Sequence, residues 1–173
     1  MYTLLDFQEK AVNQLQAHVI SAIEEHKKQT PVLLKAPTGA GKTVMAAALI
    51  ERIVDQAHLH PGLDKNMAFI WFAPNTLHVQ SYDSLNKLYE EQRRLNCINL
   101  SELSANPVLN PGDLLFANWS SLSSATNIWR KENESNTNLE SLIENTRNND
   151  TKIILVIDEA HLSAFTGAQA KAV

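Results

Sequence analysis

The sequence predicts an α/β fold, in which a largely parallel β-sheet is covered by helices on both faces. Two observations carry this prediction. Continuous apolar runs, of the kind found in strands that are buried on both faces, recur along the chain. Segments with helical periodicity separate most of these runs. Buried strands that alternate with helices imply right-handed crossovers, and such crossovers generate parallel sheets.

Composition is consistent with one globular domain. The chain has 173 residues, which is enough for one domain with a full core and short for two. A net charge of −4 argues against a broad basic surface that grips nucleic acid by charge alone, although a local basic groove stays open. The single cysteine, Cys97, excludes an internal disulfide and is expected to be a small buried side chain rather than a catalytic thiol.

Targeting signals are not evident in the sequence. The N-terminus has no basic segment followed by a long apolar one, as a signal peptide would. No apolar run approaches the roughly 20 residues that span a bilayer. We therefore expect a cytoplasmic protein that does not interact with a membrane.

The first third of the chain is predicted to contain a helix, a strand, a loop and a second helix. Apolar residues recur at steps of three and four from Asp6 to about residue 28, and Asp6 is a candidate cap for this helix. The run 32–34 is a predicted strand. A loop of small residues follows at 36–43, and the apolar segment 44–50 is predicted to be helical.

Further strands and helices follow in the same alternation. A buried strand is predicted at 67–73, and a helix follows it with packing positions between Leu77 and Tyr89. Residues 123–150 are polar and rich in asparagine, so we expect a surface insertion there with one short helix near Leu142. The remaining predicted strands are residues 97–100, 113–117 and 152–157.

The loop at 36–43, with the sequence APTGAGKT, indicates a phosphate site. Backbone N–H groups of such a loop and of the following first helical turn converge on one place, where the helix dipole favours an anion. Lys42 is expected to reach the β- and γ-phosphates, and the Thr43 hydroxyl to ligate Mg²⁺. The general P-loop pattern has glycine where this chain has Ala36, but the strand–loop–helix setting makes the signal stronger than a bare Gly-Lys-Thr.

An acidic pair follows the last predicted strand and supplies the second half of the expected site. Ligands of parallel sheets sit at the carboxyl ends of the strands, and both the P-loop and the pair Asp158-Glu159 are predicted to lie there. Beside a P-loop, Asp158 would hold Mg²⁺ and Glu159 would polarise the water that attacks the γ-phosphate. His161 is expected at the rim of the site. Taken alone, the acidic pair would fit a polar strand end equally well.

The order of these motifs resembles the first motor lobe of superfamily-two helicases. Within that family, the spacing and the Asp-Glu-Ala-His spelling are most similar to the restriction subunit of type III restriction enzymes and its DEAD/DEAH-box relatives. Alanine at position 36 is normal there. The motifs that carry the resemblance are Phe7-Gln8, the loop 36–43, Ala73-Pro74-Asn75 with Leu77 and Gln80, the stretch 112–115, and residues 158–161.

The resemblance implies a P-loop NTPase with a RecA-like three-layer domain that uses ATP and Mg²⁺. It implies that Phe7 and Gln8 contact adenine, whereas the helical pattern alone would leave Gln8 as an ordinary exposed residue. The nucleotide would be held by Phe7, Gln8, Pro37, Thr38, Gly39, Ala40, Gly41, Lys42 and Thr43, with Thr43 and Asp158 on the metal and Lys42, Glu159 and His161 as the catalytic residues. The implied nucleic-acid contacts are Pro74, Asn75, Thr76, Gln80, Asn118 and Trp119.

The resemblance further implies that residues 1–173 are the N-terminal ATP-binding lobe of a longer helicase or translocase. The family's next motif and its second lobe, which carries arginines of the ATP site, are not in this sequence, so we expect a truncated domain. Because an arginine finger contributes about 10³–10⁵ in rate, the isolated lobe is expected to be weak or inactive. The expected partners are DNA, with RNA left open, the second lobe, and other subunits of a restriction complex.

Two other classes of function are compatible with a P-loop. A small-molecule phosphotransferase would need an acceptor pocket and a mobile lid that carries arginines, and no arginine cluster follows the acidic motif. A nucleotide-dependent binding module would not hydrolyse ATP, and Glu159 argues against that for the parent protein.

Overall fold

The computed structural model describes residues 3–25, 30–60, 63, 66–90, 95–103, 106–118 and 139–160. The chain divides into two compact units, Met1–Lys65 and Asn66–Val173. Among the described residues, no helix combines the length and the apolar character that crossing a membrane requires.

The first unit is built on two helices, α1 (Asp6–Glu24) and α2 (Lys42–Gln56), and a short 3-10 helix at Ala57–Leu59 continues α2. Val12 of α1 packs in a buried cluster with Met45 and Ala48 of α2. These three side chains are no more than 2% exposed. The predicted amphipathic helix and the helix after the glycine loop are therefore both confirmed.

The predicted strand at residues 32–34 is wrong, because the structure gives these residues no strand. Leu33 is 77% exposed, whereas Leu34 and Ala36 pack against the cluster between α1 and α2. The apolar character of this run is thus used in part for packing on helices. A strand also needs a hydrogen-bonded neighbour, which the apolar pattern does not report.

Helix α1 begins differently from the prediction, because Leu5 and not Asp6 is the N-cap residue. A leucine side chain cannot accept a hydrogen bond, and the cap is formed instead by Gln8, whose Oε1 accepts from the Leu5 N–H at 3.0 Å. Asp6 lies in the first turn, where its charge is favourable next to the helix dipole. The helix ends at Glu24, before the predicted end at residue 28.

The second unit contains a four-stranded sheet in which all neighbouring strands are parallel. Its strands are β1 (Met67–Ala73), β2 (Asn96–Asn99), β3 (Asp113–Asn118) and β4 (Lys152–Ile157). They lie in the order β2-β3-β1-β4, so the last of the described strands borders the first. In the central register Trp71 of β1 lies beside Phe116 of β3 and Val156 of β4. The helices of this unit are α3 (Leu77–Glu90) and α4 (Leu139–Asn148).

Helices cover the sheet on both faces. Tyr82 of α3 makes an edge-to-face contact with Phe116, with ring centroids 5.6 Å apart. Leu142 of α4 packs in one buried cluster with Ile70 and Leu115. Because Leu115 and Phe116 are consecutive in a strand, they point to opposite faces, and α3 and α4 therefore lie on opposite sides. This arrangement confirms the predicted α/β class with a parallel sheet between helical layers.

The short helix expected in the polar segment is α4, and it is more deeply packed than its composition indicates. Leu142 and Thr146 are both 0% exposed. The Thr146 hydroxyl accepts a hydrogen bond from the Leu109 N–H at 3.0 Å. This polar contact joins α4 to the loop before β3 inside the core, so α4 is a structural element of the second unit.

Candidate functional site

The glycine loop of the first unit leads into α2 through two residues with left-handed backbone. Gly39 has a φ of 82° and Gly41 a φ of 80°, a region that side chains other than glycine rarely adopt. Gly41 is the N-cap residue of α2, and its carbonyl oxygen accepts from the Met45 N–H at 2.9 Å. The sequence needs glycine at these positions because the chain must turn sharply before the helix begins.

The loop has room beside its backbone for a ligand. Apart from its two chain neighbours, a Cβ atom placed on Gly39 would meet no described atom within 4 Å. The Ala40 N–H donates to the Pro37 carbonyl at 3.2 Å, which closes the turn. Open space beside a glycine loop at a helix N-terminus suits a phosphate group, because the N–H groups of the first helical turn and the helix dipole both favour an anion.

Lys42 and Thr43 occupy the first two positions of α2, and both are partly buried. The Lys42 ammonium lies 3.5 Å from the Ala36 carbonyl oxygen, so its side chain folds back over the start of the loop. The Thr43 hydroxyl is an oxygen donor of the kind that Mg²⁺ prefers. The predicted phosphate and metal residues of the P-loop thus lie within one turn of each other.

Gln8 lies against the P-loop, although 32 residues of chain separate it from Ala40. Its Nε2 donates to the Ala40 carbonyl oxygen at 2.9 Å. It also stands so close to Gly41 that a Cβ there would come within 2.6 Å of Nε2. The neighbouring Phe7 is 54% exposed, so its ring is accessible beside the loop-binding glutamine.

A polar seam joins α1 to α2. Arg52 of α2 donates from Nη2 to the Glu9 carboxylate at 2.7 Å and from Nη1 to Asn13 Oδ1 at 2.8 Å. Farther along, Gln16 Nε2 donates to Gln56 Oε1 at 2.6 Å. The Arg52 guanidinium beside it lowers the pKa of the Glu9 carboxyl, mainly through the hydrogen bond, so this carboxyl stays ionised at neutral pH.

The acidic pair of the second unit follows β4 directly. The Asp158 N–H donates to the Phe72 carbonyl at 2.8 Å, so the backbone at Asp158 continues the pairing of β4 with β1. Asp158 Oδ1 accepts from the Glu159 N–H at 2.9 Å, and Glu159 has a left-handed φ of 49°. Both side chains are partly buried at the carboxyl end of the sheet. His161 lies outside the described residues.

Two asparagines meet at the same edge of the sheet, after β1 and at the end of β3. Asn118 Nδ2 donates to the Asn75 carbonyl at 2.8 Å. The same carbonyl lies 2.7 Å from His78 Nδ1, which must therefore be the protonated nitrogen. Asn75 has a φ of 51°, a conformation that asparagine tolerates better than most residues.

The remaining predicted nucleic-acid residues differ in accessibility. Thr76 and Gln80 are exposed, as is Asn75. Pro74 is buried, and its carbonyl oxygen accepts from the Leu77 N–H at 3.1 Å, so it is part of the turn into α3. Trp119 lies outside the described residues.

Two features of these surfaces were missed by reasoning from the sequence. Arg52 was not singled out, because its partners lie 39 and 43 residues away and no local spacing signals them. His78 was passed over within an ordinary helix. Its position three residues after the turn asparagine, at the start of a helix, is the signal that would have pointed to it.

A scan against family models matches the whole chain, residues 1–173, to the family described as type III restriction enzyme, res subunit. No curated protein and no solved structure matches the chain. The family is a P-loop, RecA-like domain of superfamily-two helicases, and its members generally use ATP with Mg²⁺. The glycine loop before α2, the acidic pair after β4 and the parallel sheet agree with that match. The chain therefore belongs to the family of type III restriction enzyme res subunits, as an ATP-binding lobe of the helicase type.

Proposed function

We propose that this chain is the ATP-binding lobe of a DNA-directed helicase or translocase that works in a restriction system. The observation that carries the proposal is the contact of Gln8 with the P-loop at Ala40, beside the open space at Gly39. A glutamine amide and a phosphate loop that touch each other offer one surface for a base and one for its phosphates.

The phosphates would lie on the loop from Pro37 to Thr43. Backbone N–H groups and the helix dipole favour the negative charge there, and Lys42 adds a positive one. Thr38 and Ala40 contribute their backbone, while the glycines leave space. Mg²⁺, when bound, neutralises charge on the β- and γ-phosphates. The Thr43 hydroxyl is proposed as a ligand of this ion, and so is the Asp158 carboxylate, because each is an oxygen ligand of the kind that the ion takes.

Gln8 would select adenine through the lone pair and the N–H of its amide that its contacts with Leu5 and Ala40 leave unused. Its Oε1 already accepts from the Leu5 N–H and its Nε2 already donates to Ala40. These two bonds fix the orientation of the amide. An amide oxygen has two lone pairs and an amide nitrogen two N–H groups. One acceptor and one donor can therefore face the N6–H and N7 of adenine, whereas guanine presents two acceptors along that edge. Phe7 would add apolar contact with the base.

Glu159 would act as the general base toward the attacking water, and Asp158 would serve the metal. The hydrogen bond from the Glu159 N–H holds the Asp158 carboxylate in one orientation. The left-handed backbone at Glu159 is a conformation of the kind that recurs at active sites. His161 would couple the γ-phosphate to a neighbouring element.

The nucleic-acid strand would be held at the carboxyl edge around Asn75, Thr76, Gln80 and Asn118. Trp119, which follows Asn118 in the sequence, is proposed as a further contact. The polar side chains and turn N–H groups of this edge suit contacts to a sugar–phosphate backbone, which carry no sequence information. A second helicase lobe and further subunits of a restriction complex are the proposed protein partners.

Titration with a fluorescent ATP analogue in the presence of Mg²⁺ tests nucleotide binding. We expect Lys42→Ala to abolish binding, and Lys35→Ala, a matched change at an exposed lysine just before the loop, to preserve it. Equal affinity of the Lys42→Ala variant and the unmodified chain would overturn the P-loop assignment. Thermal melts of the same samples show whether each variant is folded.

The polymer is tested separately with the full-length protein. We expect single-stranded or duplex DNA to stimulate its ATP hydrolysis more than RNA of the same sequence. Greater stimulation by RNA would overturn the DNA-directed part of the proposal and leave the ATP-binding part intact.

A further inference from the structure

The Arg52 guanidinium binds two acceptors that lie one helical turn apart on α1. Glu9 and Asn13 have the spacing i, i+4, so both face the same side of the helix. Arg52 reaches them with two different nitrogens, at 2.7 and 2.8 Å. We call these two hydrogen bonds the Arg52 fork. The Arg52 side chain is 26% exposed and that of Glu9 is 47% exposed, so the fork lies at the rim of the contact between the helices.

These contacts follow both helices in the same direction. Gln8 touches Ala40 just before α2, Arg52 binds Glu9 and Asn13, and Gln16 binds Gln56. Between them lies the apolar cluster of Val12, Met45 and Ala48. Apolar contact is not directional and tolerates small shifts. A planar fork on two acceptors does not, because each hydrogen bond depends on distance and angle.

We propose that Arg52 is a positioning residue for adenine recognition, which fixes the register of α1 on α2 so that the Gln8 amide stays on the P-loop. Glu9, with which Arg52 forms an ion pair, directly follows Gln8 in the chain. A shift of α1 by one residue moves its side chains by about 1.5 Å along the helix axis. Such a shift is large compared with the tolerance of the 2.9 Å bond between Gln8 and Ala40. This inference rests on the proposed adenine role of Gln8.

Removing the Arg52 fork should weaken the binding of the base more than the binding of the phosphates. Pairs at the rim of a protein contribute little energy each, so we expect Arg52→Met to weaken ATP binding by about two- to fivefold. Binding of GTP and of inorganic triphosphate should stay unchanged, because the P-loop itself is not altered. Arg52→Lys keeps the charge but not the fork, and should give an intermediate ATP affinity. Lys10→Met removes one positive charge from the exposed side of α1, as a matched control, and should have no effect.

The experiment measures the dissociation constants of the chain and its variants for ATP, GTP and inorganic triphosphate, all with Mg²⁺, by displacement of a fluorescent analogue. A selective loss for ATP in Arg52→Met, with partial recovery in Arg52→Lys, supports the inference. An equal loss for ATP and triphosphate would overturn it, since Arg52 would then support only the loop or the fold. Unchanged ATP affinity would overturn it as well.

A Gln8→Ala variant in the same series separates the positioning role of Arg52 from the adenine role of Gln8. If Gln8→Ala loses the preference for ATP over GTP while Arg52→Met keeps it, only the positioning role fails. If Gln8→Ala keeps the preference, the adenine assignment fails, and the role of Arg52 fails with it.

Discussion

The side-chain amide of Gln8 donates from Nε2 to the carbonyl oxygen of Ala40 at 2.9 Å, and so ties the first turn of α1 to the P-loop. At the other end of the same amide, Oε1 accepts from the Leu5 N–H at 3.0 Å. The two bonds make Gln8 a rigid part of the first unit. The amide is therefore held in one orientation, which would lower the entropic cost of the proposed binding of a base.

We predict that Gln8→Glu weakens the preference of the site for adenine over guanine. A carboxylate cannot donate, so the bond to Ala40 and the proposed bond to adenine N7 are both lost. With about 0.5–1.5 kcal/mol for each hydrogen bond, ATP affinity should fall about tenfold. GTP affinity should change much less. Competition titrations against a fluorescent analogue measure both, and an unchanged ratio of the two affinities would contradict the role given to Gln8.

Gly41→Ala should damage the loop more than Gly39→Ala does. Both positions have a left-handed φ, where a Cβ costs about 1–2 kcal/mol. At Gly41 the new Cβ would also come within 2.6 Å of Gln8 Nε2, so the amide would have to move and give up its hydrogen bond to Ala40, whereas at Gly39 the Cβ would enter open space. Urea unfolding should therefore show a larger loss of stability for Gly41→Ala, together with the loss of nucleotide binding.

A double variant isolates the contribution of that contact. In a Gln8→Ala background the clash is removed, so Gly41→Ala should then cost no more than Gly39→Ala. If the extra cost persists without the Gln8 side chain, strain of the backbone and not the approach of Gln8 explains it.

The strands of the sheet could be predicted because burial on both faces leaves a strong mark in the sequence. Residues 67–73 are all apolar, and the structure buries every one of them in β1. The run 32–34 is also apolar but does not form a strand, since Leu34 packs against helices and Leu33 faces solvent. An apolar run reports that a segment needs burial, but not which neighbour provides it.

The residues of the candidate site also differ in how far the sequence alone predicts them. Lys42, Thr43 and Asp158 are recognisable because the glycine loop and the acidic pair are motifs of residues that are adjacent in the chain. The contact of Gln8 with Ala40 spans 32 residues, and helical periodicity alone made Gln8 an ordinary exposed side chain. Arg52 is missed altogether, because its partners depend on how α1 lies on α2, and no local pattern encodes that register.

Thr146→Val should destabilise the second unit although the two side chains have nearly the same shape. The substitution leaves the Leu109 N–H without its acceptor in a fully buried position. An unsatisfied buried donor costs about 1–3 kcal/mol. Thr146→Ser keeps the hydroxyl and should cost less, near the loss of one methyl group at about 0.8 kcal/mol. Equal stability of Thr146→Val and the unmodified chain in urea unfolding would show that the hydroxyl is dispensable.

Stability should fall at alkaline pH through Cys97. Burial, with a smaller effect of the Glu102 carboxylate, raises the pKa of the Cys97 thiol from 9.0 to about 12. The unfolded chain therefore releases this proton at lower pH than the folded one. The contribution of Cys97 is full below pH 9 and is lost progressively as pH rises toward 12.

Comparison with Cys97→Ala isolates this effect from the tyrosines and lysines that titrate in the same range. The free energy of unfolding of the variant should decline less steeply above pH 9 than that of the unmodified chain. The folded thiol should also react more slowly with iodoacetamide at pH 8 than the thiol in urea, because only the thiolate is nucleophilic. Parallel pH dependence of the two proteins would contradict the raised pKa.

Glu159→Gln should separate nucleotide binding from hydrolysis in the full-length protein. Glutamine keeps the size of the side chain, and the substitution preserves the backbone N–H of residue 159 that donates to the Asp158 carboxylate. ATP affinity should therefore stay within about twofold, while turnover should fall by about 10²–10⁴, the usual contribution of a general base. Glu140→Gln, an exposed change on α4, removes the same charge and should leave both quantities unchanged. Normal turnover in Glu159→Gln would exclude this carboxylate as the base, and the left-handed backbone at Glu159 would then have to be explained by the turn after β4 alone.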